Sequence, residues 1–193
     1  MNQTRWLQAH IARPDLSPYL THFTRSRCLD GKSISAFDML VKILKEGKIR
    51  GGTNYIKGGE PTTCFFNAPW PALARVITEE NRRRYEPYGI GVSKLYGFKK
   101  SARPVIYLPE DQAKKLLPPA EMWRVVELKL TPKKFIDWTH EREWRKRGDF
   151  PLDPKWTWVL VHTGDDIERL YKKFKGKPPC RAVISLRPVF IGS

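Results

Sequence analysis

The stretch PYLTHFTRSRCLDGKSISAFDMLVKILKEGKIRGG, residues 18–52, carries the most structural information per residue in this chain. Its opening, PYLTHFT (18–24), mixes apolar and polar residues as a short strand does. The part that follows reads as a helix with both ends marked. Ser33 or Ser35 can cap its start, Phe37, Leu40, Val41 and Leu44 recur at helical spacing, and Gly47 and then Gly51-Gly52 stop it. Ile49 opens a short extended segment. A polar strand residue, His22, bracketed by Thr21 and Thr24 therefore stands just ahead of a well-formed amphipathic helix.

Beyond it, a glycine-rich loop (51–63) leads into CFFNAPW (64–70), an apolar strand or turn. PALARVITEENRRRYE (71–86) predicts a helix, with proline at its first position and basic residues toward its end. YGIGVSK (88–94), RPVIYLP (103–109), WRVVELKL (123–130), KWTWVLVH (155–162) and CRAVISLRPVFIG (180–192) predict strands. EDQAKKLL (110–117) and DDIERLYKKF (165–174) predict helices. The expected class is α+β, a single domain spanning 18–193 after an N-terminal arm (1–17), with about six to eight short strands.

With 193 residues, 40% of them hydrophobic, the chain can bury a real core and is too apolar to be disordered. It has no apolar run of the ~20 residues that span a bilayer, and its first residues lack the apolar stretch of a secretory signal. Three scattered cysteines imply no disulfide framework, so a cytoplasmic location is expected. Thirty-six Lys and Arg against 20 Asp and Glu leave a formal charge of +16, an excess that attracts polyanions, nucleic acid foremost.

Several motifs fail on inspection. CLDGKS resembles the end of a phosphate-binding loop, but the pattern needs glycine where Ser26 stands. The cysteines and histidines show no metal-ligand spacing, and no metal is expected. Cys64 with His22 or His162 could form a nucleophile pair, although scattered cysteines are more often core fillers.

DWTHEREWRKRGDF (137–150) is the acidic centre of an otherwise basic region, with Glu141 and Glu143 flanked by arginines and tryptophans. On a strand, residues two apart share a face, so the two carboxylates would project together. On a helix, Glu141 would instead pair with Arg145.

The strand bearing His22, the helix ending L-x-x-G-x-I, YGIGVSKLYGFKKSARPVIYL (88–108) and EREWR (141–145) together resemble DarT-type DNA ADP-ribosyltransferases. They also resemble AbiGi-like abortive-infection proteins. The likeness covers about Ser17 to Val161 in outline, although Arg103 directly precedes Pro104 where the family has Arg-x-Pro. It implies an ADP-ribosyltransferase-like split mixed β-sheet with short helices, and NAD as substrate. By the same resemblance Glu143 holds the 2′-hydroxyl of the nicotinamide ribose and Glu141 touches the acceptor. His22, helped by Thr21 or Thr24, anchors the NAD riboses, and Arg103 meets the pyrophosphate. A tyrosine stacks on nicotinamide, a role for which Tyr88, Tyr96 and Tyr107 compete, Tyr88 and Tyr107 being favoured.

The activity implied is NAD-dependent mono-ADP-ribosylation of nucleic acid, DNA favoured over RNA, in a bacterial defence or toxin system with an antitoxin as a possible partner. Lys172, Lys173, Lys175 and Lys177 are candidates for holding the nucleic-acid backbone. Two other classes compete. A metal-dependent nuclease would use Asp137, Glu141, Glu143 and Lys146, although residue 145 is arginine where the usual Glu-x-Lys pair needs lysine. A non-catalytic nucleic-acid-binding module would use Trp and Tyr as stacking platforms.

Overall fold

The computed structural model describes residues 13, 15–29, 31–78, 81 and 84–190. Most of the expected N-terminal arm lies outside the described residues, as do positions 79, 80, 82 and 83 of the helix expected over 71–86. In chain order the strands are β1 (Tyr19–Phe23), β2 (Arg27–Leu29), β3 (Lys32–Ile34), β4 (Lys48–Ile49), β5 (Thr62–Phe65), β6 (Gly89–Ser93), β7 (Arg103–Pro104) and β8 (Ile106–Leu108). They continue with β9 (Val125–Glu127), β10 (Lys129–Thr131), β11 (Lys134–Ile136), β12 (Trp144–Arg147), β13 (Phe150–Pro151), β14 (Thr157–Val161) and β15 (Ala182–Ser185).

A mixed sheet of order β1-β6-β14-β15 carries antiparallel pairs except for the parallel β14–β15 edge. A second, antiparallel sheet of order β5-β12-β7 adjoins it. Among the described residues one bridge stitches the two, in which the Thr21 and Phe66 backbones exchange hydrogen bonds of 2.8 and 2.7 Å. The expected split mixed sheet with short helices is therefore the architecture of this chain. None of its helices is long and apolar enough to cross a membrane among the described residues.

The helix Ala36–Glu46 forms as its sequence dictates. Ser35 caps it through the Asp38 N–H, and Gly47 ends it in the left-handed region at φ 65°, where a Cβ would be strained. Its Phe37, Leu40, Val41 and Leu44 bury one stripe against Leu20, Ile90, Val92, Val159 and Val161 of the first sheet. Phe65, Phe150 and Leu170 complete that core. A smaller cluster of Phe66, Leu73, Leu160 and Leu186, with Phe23 and Trp70 packed on it, forms a second core. Strand alternation explains the division: Leu20 and His22 pair with Val92 and Ile90 toward the first core, while Tyr19 stacks on Trp70 with ring centroids 4.4 Å apart. Gly91 lets the Trp70 ring approach closely, since a Cβ there would stand 3.1 Å from the ring.

The described residues form fifteen short strands where six to eight are expected, and RPVIYLP divides into β7 and β8, which belong to different sheets. Three further segments differ from expectation. The 71–86 window yields a 3-10 helix, Trp70–Arg75, followed by turns in which the Asn81 carbonyl accepts from Arg84 and Tyr85. Its aliphatic residues Leu73, Val76 and Ile77 all lie in the first half, where they join the second core. WRVVELKL divides into β9 and β10. The last predicted strand shortens to Ala182–Ser185 and then turns as a 3-10 helix, Arg187–Val189, at Pro188, which has no N–H for a ladder.

Candidate active site

β12 is the central strand of the second sheet, with Arg145 opposite Cys64 on one side and Arg103 on the other. Glu143 immediately precedes it, so the pleat puts the Glu143 and Arg145 side chains on one face. They meet there: Arg145 Nε donates to Glu143 Oε1 at 2.8 Å and Nη2 to Oε2 at 3.1 Å. Both residues are buried, at 7% and 5% exposure. The other guanidinium nitrogen, Nη1, donates to the carbonyls of Trp123 and Val125 at 2.8 and 3.2 Å. Burial alone would lower the Arg145 pKa, but the facing carboxylate more than offsets it and the guanidinium is held above its ordinary value.

Glu141 does not share that strand. It ends a 3-10 turn, Thr139–Glu141, and Arg142 then takes a left-handed conformation at φ 46°. The expectation that a continuous strand aligns Glu141 with Glu143 is thus corrected: the chain kinks between them. The Glu141 carbonyl accepts from the Asn67 N–H at 3.0 Å, and this pins the kink to the end of β5. Its carboxylate accepts a hydrogen bond from the Tyr85 hydroxyl. Burial raises the Glu141 pKa, the Tyr85 bond opposes that, and the nearby Glu143 charge adds to it.

Tyr107 ties the two halves together. Its hydroxyl oxygen accepts from the Glu143 N–H at 3.1 Å while its proton reaches the Trp138 carbonyl at 3.4 Å. Burial pushes this hydroxyl up to about 12. Phe23, Phe66 and Tyr85 form an aromatic wall of edge contacts, with centroids 5.8 to 6.1 Å apart. His140 extends it against Phe66, and Arg84 lies 4.2 Å over the Trp138 ring.

His22 reaches this cluster through Cys64. Its Nδ1 lies 2.9 Å from the Cys64 carbonyl, which makes Nδ1 the protonated nitrogen and leaves Nε2 as an acceptor. Burial lowers its pKa, the carbonyl bond opposes this, and Arg27 adds to the lowering. The Cys64 thiol meanwhile hydrogen-bonds the Glu143 carboxylate, and burial and then that negative charge push the thiol up, away from a nucleophilic thiolate.

The remaining sequence candidates are dispersed. The Thr21 hydroxyl accepts from Trp70 Nε1 at 3.1 Å, and the Thr24 hydroxyl donates to the Ala36 carbonyl at 2.8 Å. Tyr88 donates to Asp166 at 3.1 Å and packs edge-on to Phe37, and Tyr96 donates to the Pro151 carbonyl at 3.0 Å. Arg103 donates to the carbonyls of Phe98 and Ala102 and stacks 4.0 Å over Phe98. Lys172 and Lys173 end the helix Gly164–Lys173, which packs on β14 and β15, and Lys175 and Lys177 follow it, all exposed. Sequence reasoning missed Tyr85, Arg145 and Asn67 as members of the site. Arg145, two positions beyond Glu143 on a strand, was the one legible signal.

The constellation a metal-dependent nuclease would need is not assembled. Asp137 accepts from the Thr139 N–H and hydroxyl, and Lys146 donates to the Asp149 carbonyl at 2.6 Å. Among the described residues no three His, Cys, Asp or Glu side chains group as metal ligands.

No family model and no curated protein matches this chain. Among solved structures it is similar to Thermus sp. 2.9 DarT in complex with carba-NAD+, at 14% identity and a TM-score of 0.48, over 90% of this chain and 97% of that chain.

Proposed function

We propose that this protein is an NAD-dependent mono-ADP-ribosyltransferase that modifies nucleic acid, DNA in preference to RNA. The observation that carries the reading is the pair of neighbouring carboxylates in different environments. Glu143 is clamped by Arg145, whereas Glu141 is hydrogen-bonded by a neutral tyrosine and raised by burial. Two carboxylates with diverging environments suit two different tasks.

In the proposed reaction the bond between nicotinamide and ribose C1′ breaks, and its electron pair leaves with nicotinamide. The cationic sugar that develops is stabilised by the Glu143 carboxylate, which also orients the 2′-hydroxyl. The acceptor's nucleophilic atom then bonds to C1′ and passes its proton to Glu141, whose raised pKa suits a general base. Tyr107 would stack on nicotinamide, His22 Nε2 would accept from a ribose hydroxyl, and Arg103 would meet the pyrophosphate. The charge of +16 supports a polyanionic acceptor, with Lys172, Lys173, Lys175 and Lys177 holding its backbone. The exposed cross-strand pair Leu130 and Phe135, at 60% and 75%, offers apolar contact to bases on a lysine-rich hairpin. The resemblance to abortive-infection proteins supports a cytoplasmic bacterial defence or toxin role, with an antitoxin as a partner.

One observation favours a second reading, a non-catalytic nucleic-acid-binding module: Glu143 is almost fully buried and bidentate to Arg145, as a purely structural carboxylate is. Incubating the protein with labelled NAD and DNA, RNA or protein separates the two. The enzyme reading requires nicotinamide release and label on nucleic acid. Absence of both from folded protein, with nucleic-acid binding retained, establishes the binding module.

A further inference from the structure

Lys94 follows β6 directly, at the start of the short helix Lys94–Lys99. Its ammonium donates to Asn67 Oδ1 at 2.8 Å and lies 5.2 Å over the Trp144 ring. Asn67 is buried, and its own amide donates to the Tyr19 and Ser17 carbonyls at 2.8 and 3.3 Å, so the oxygen that Lys94 uses is fixed in direction. The Asn67 N–H is the group that holds the Glu141 carbonyl, so the amine stands one residue from the candidate site.

Lys94 is half-buried, and the charge arrangement around it is unusual for a lysine in that position. An ammonium partly removed from solvent gains from a facing carboxylate, which offsets the share of its hydration that is lost. Lys94 instead faces a neutral amide and a ring, and the charged group it senses is another cation, Arg142. Arg142 is itself engaged by Asp15, its Nη1 donating to the Asp15 carbonyl and lying 3.6 Å from the carboxylate. An ammonium carries three donors, and one amide oxygen satisfies one of them.

We infer that Lys94, oriented by Asn67 and seconded by Arg142, forms an anion subsite that takes a phosphate group beside the Glu141–Glu143 segment. The phosphate belongs either to the pyrophosphate of a dinucleotide or to the backbone of a nucleic acid, and this choice of ligand rests on the proposed function. A phosphate oxygen supplies the negative charge that Asn67 does not give Lys94, and it can use the remaining donors of the ammonium.

Full-length protein is titrated with inorganic pyrophosphate, ADP-ribose and a short thymidine oligonucleotide, as wild type, Lys94→Met and Lys94→Arg. Lys94→Met keeps the apolar stem and removes the charge, and it weakens the relevant ligand by about 10- to 100-fold, the value of a charge-assisted hydrogen bond. Loss confined to pyrophosphate and ADP-ribose assigns the dinucleotide; loss confined to the oligonucleotide assigns the acceptor backbone. Lys94→Arg retains most of the affinity. Unchanged binding of all three probes by folded Lys94→Met overturns the inference. Should Lys94→Met fail to fold, limiting acylation of the wild-type Lys94 amine is compared with and without each probe. Protection by any probe supports the subsite, and protection by none overturns it. Pyrophosphate binding at Lys94 without NAD turnover would leave the subsite standing and remove the enzymatic reading.

Discussion

Glu143 and Arg145 are joined by parallel hydrogen bonds of 2.8 and 3.1 Å in a setting where neither is more than 7% exposed. The pair makes the candidate catalytic carboxylate part of the fold as well as of the site. Glu143→Gln leaves the Arg145 charge buried without its counter-charge, and such a loss costs about 3–5 kcal/mol, toward the lower end because Gln retains an acceptor. In the enzyme reading it also slows transfer by ~10²–10³. Thermal unfolding and nicotinamide release, measured together below the transition of the variant, check this. A variant that loses stability yet turns over at the wild-type rate makes Glu143 structural alone.

Tyr85→Phe removes the hydroxyl that donates to Glu141. That bond lowers the Glu141 pKa against burial, so its loss moves the carboxyl further up. A base is active only when deprotonated, so the acidic limb of the transfer rate should shift to higher pH, with little change in the alkaline limb. The pH profile of ADP-ribose transfer to DNA is the measurement. An unshifted acidic limb removes Glu141 as the base.

His22 is held neutral, its pKa depressed below 6.5 chiefly by burial. Between its folded value and 6.5 the unfolded chain binds more protons than the folded one, so stability rises with pH across that window. The contribution is complete above 6.5 and is lost as pH falls through the folded value. His22→Asn should flatten this dependence and cost about 1 kcal/mol for the altered bond to Cys64. In the enzyme reading it also weakens NAD binding. Denaturant midpoints across pH, paired with NAD titrations, test both statements; a variant with the wild-type slope contradicts the first.

Charge reversal at Lys172, Lys173, Lys175 and Lys177 should weaken nucleic-acid binding and reduce its salt dependence, since each lost phosphate contact lowers the logarithmic slope by about 0.7 to 0.9. Nicotinamide release without nucleic acid should be untouched, because the helix Gly164–Lys173 packs on the first sheet and Glu143 belongs with the second. Filter binding across salt, with NAD hydrolysis alongside, decides it. Equal loss of both activities would place these lysines in the active site.

Local signals account for what was legible in the chain. Ser35, the stripe of Phe37, Leu40, Val41 and Leu44, and Gly47 specify one helix completely, because cap, face and stop are all encoded within a dozen residues. The same holds for Thr163 and Asp166, whose capping box starts the helix Gly164–Lys173. The E-x-E motif was visible too, and so was its separation by arginine. Reading it as one strand failed because Arg142 adopts a left-handed turn that no propensity favours for arginine, held by the Asn67–Glu141 backbone bond from a distant strand.

Long-range pairing decided the rest. That Arg145 serves Glu143, that Tyr85 and not Tyr88 reaches the carboxylates, and that Cys64 links His22 to Glu143 all follow from β12 settling between β5 and β7. Tyr85 and Tyr88 are three residues apart with similar neighbours, and nothing local distinguishes them. One hydroxyl meets Glu141 and the other Asp166, because the chain turns onto β6 between them. Composition and spacing therefore determined the class of the fold, its main helices and the acidic motif. Which groups face that motif depended on sheet register, a property of segments far apart in sequence that a local pattern does not encode.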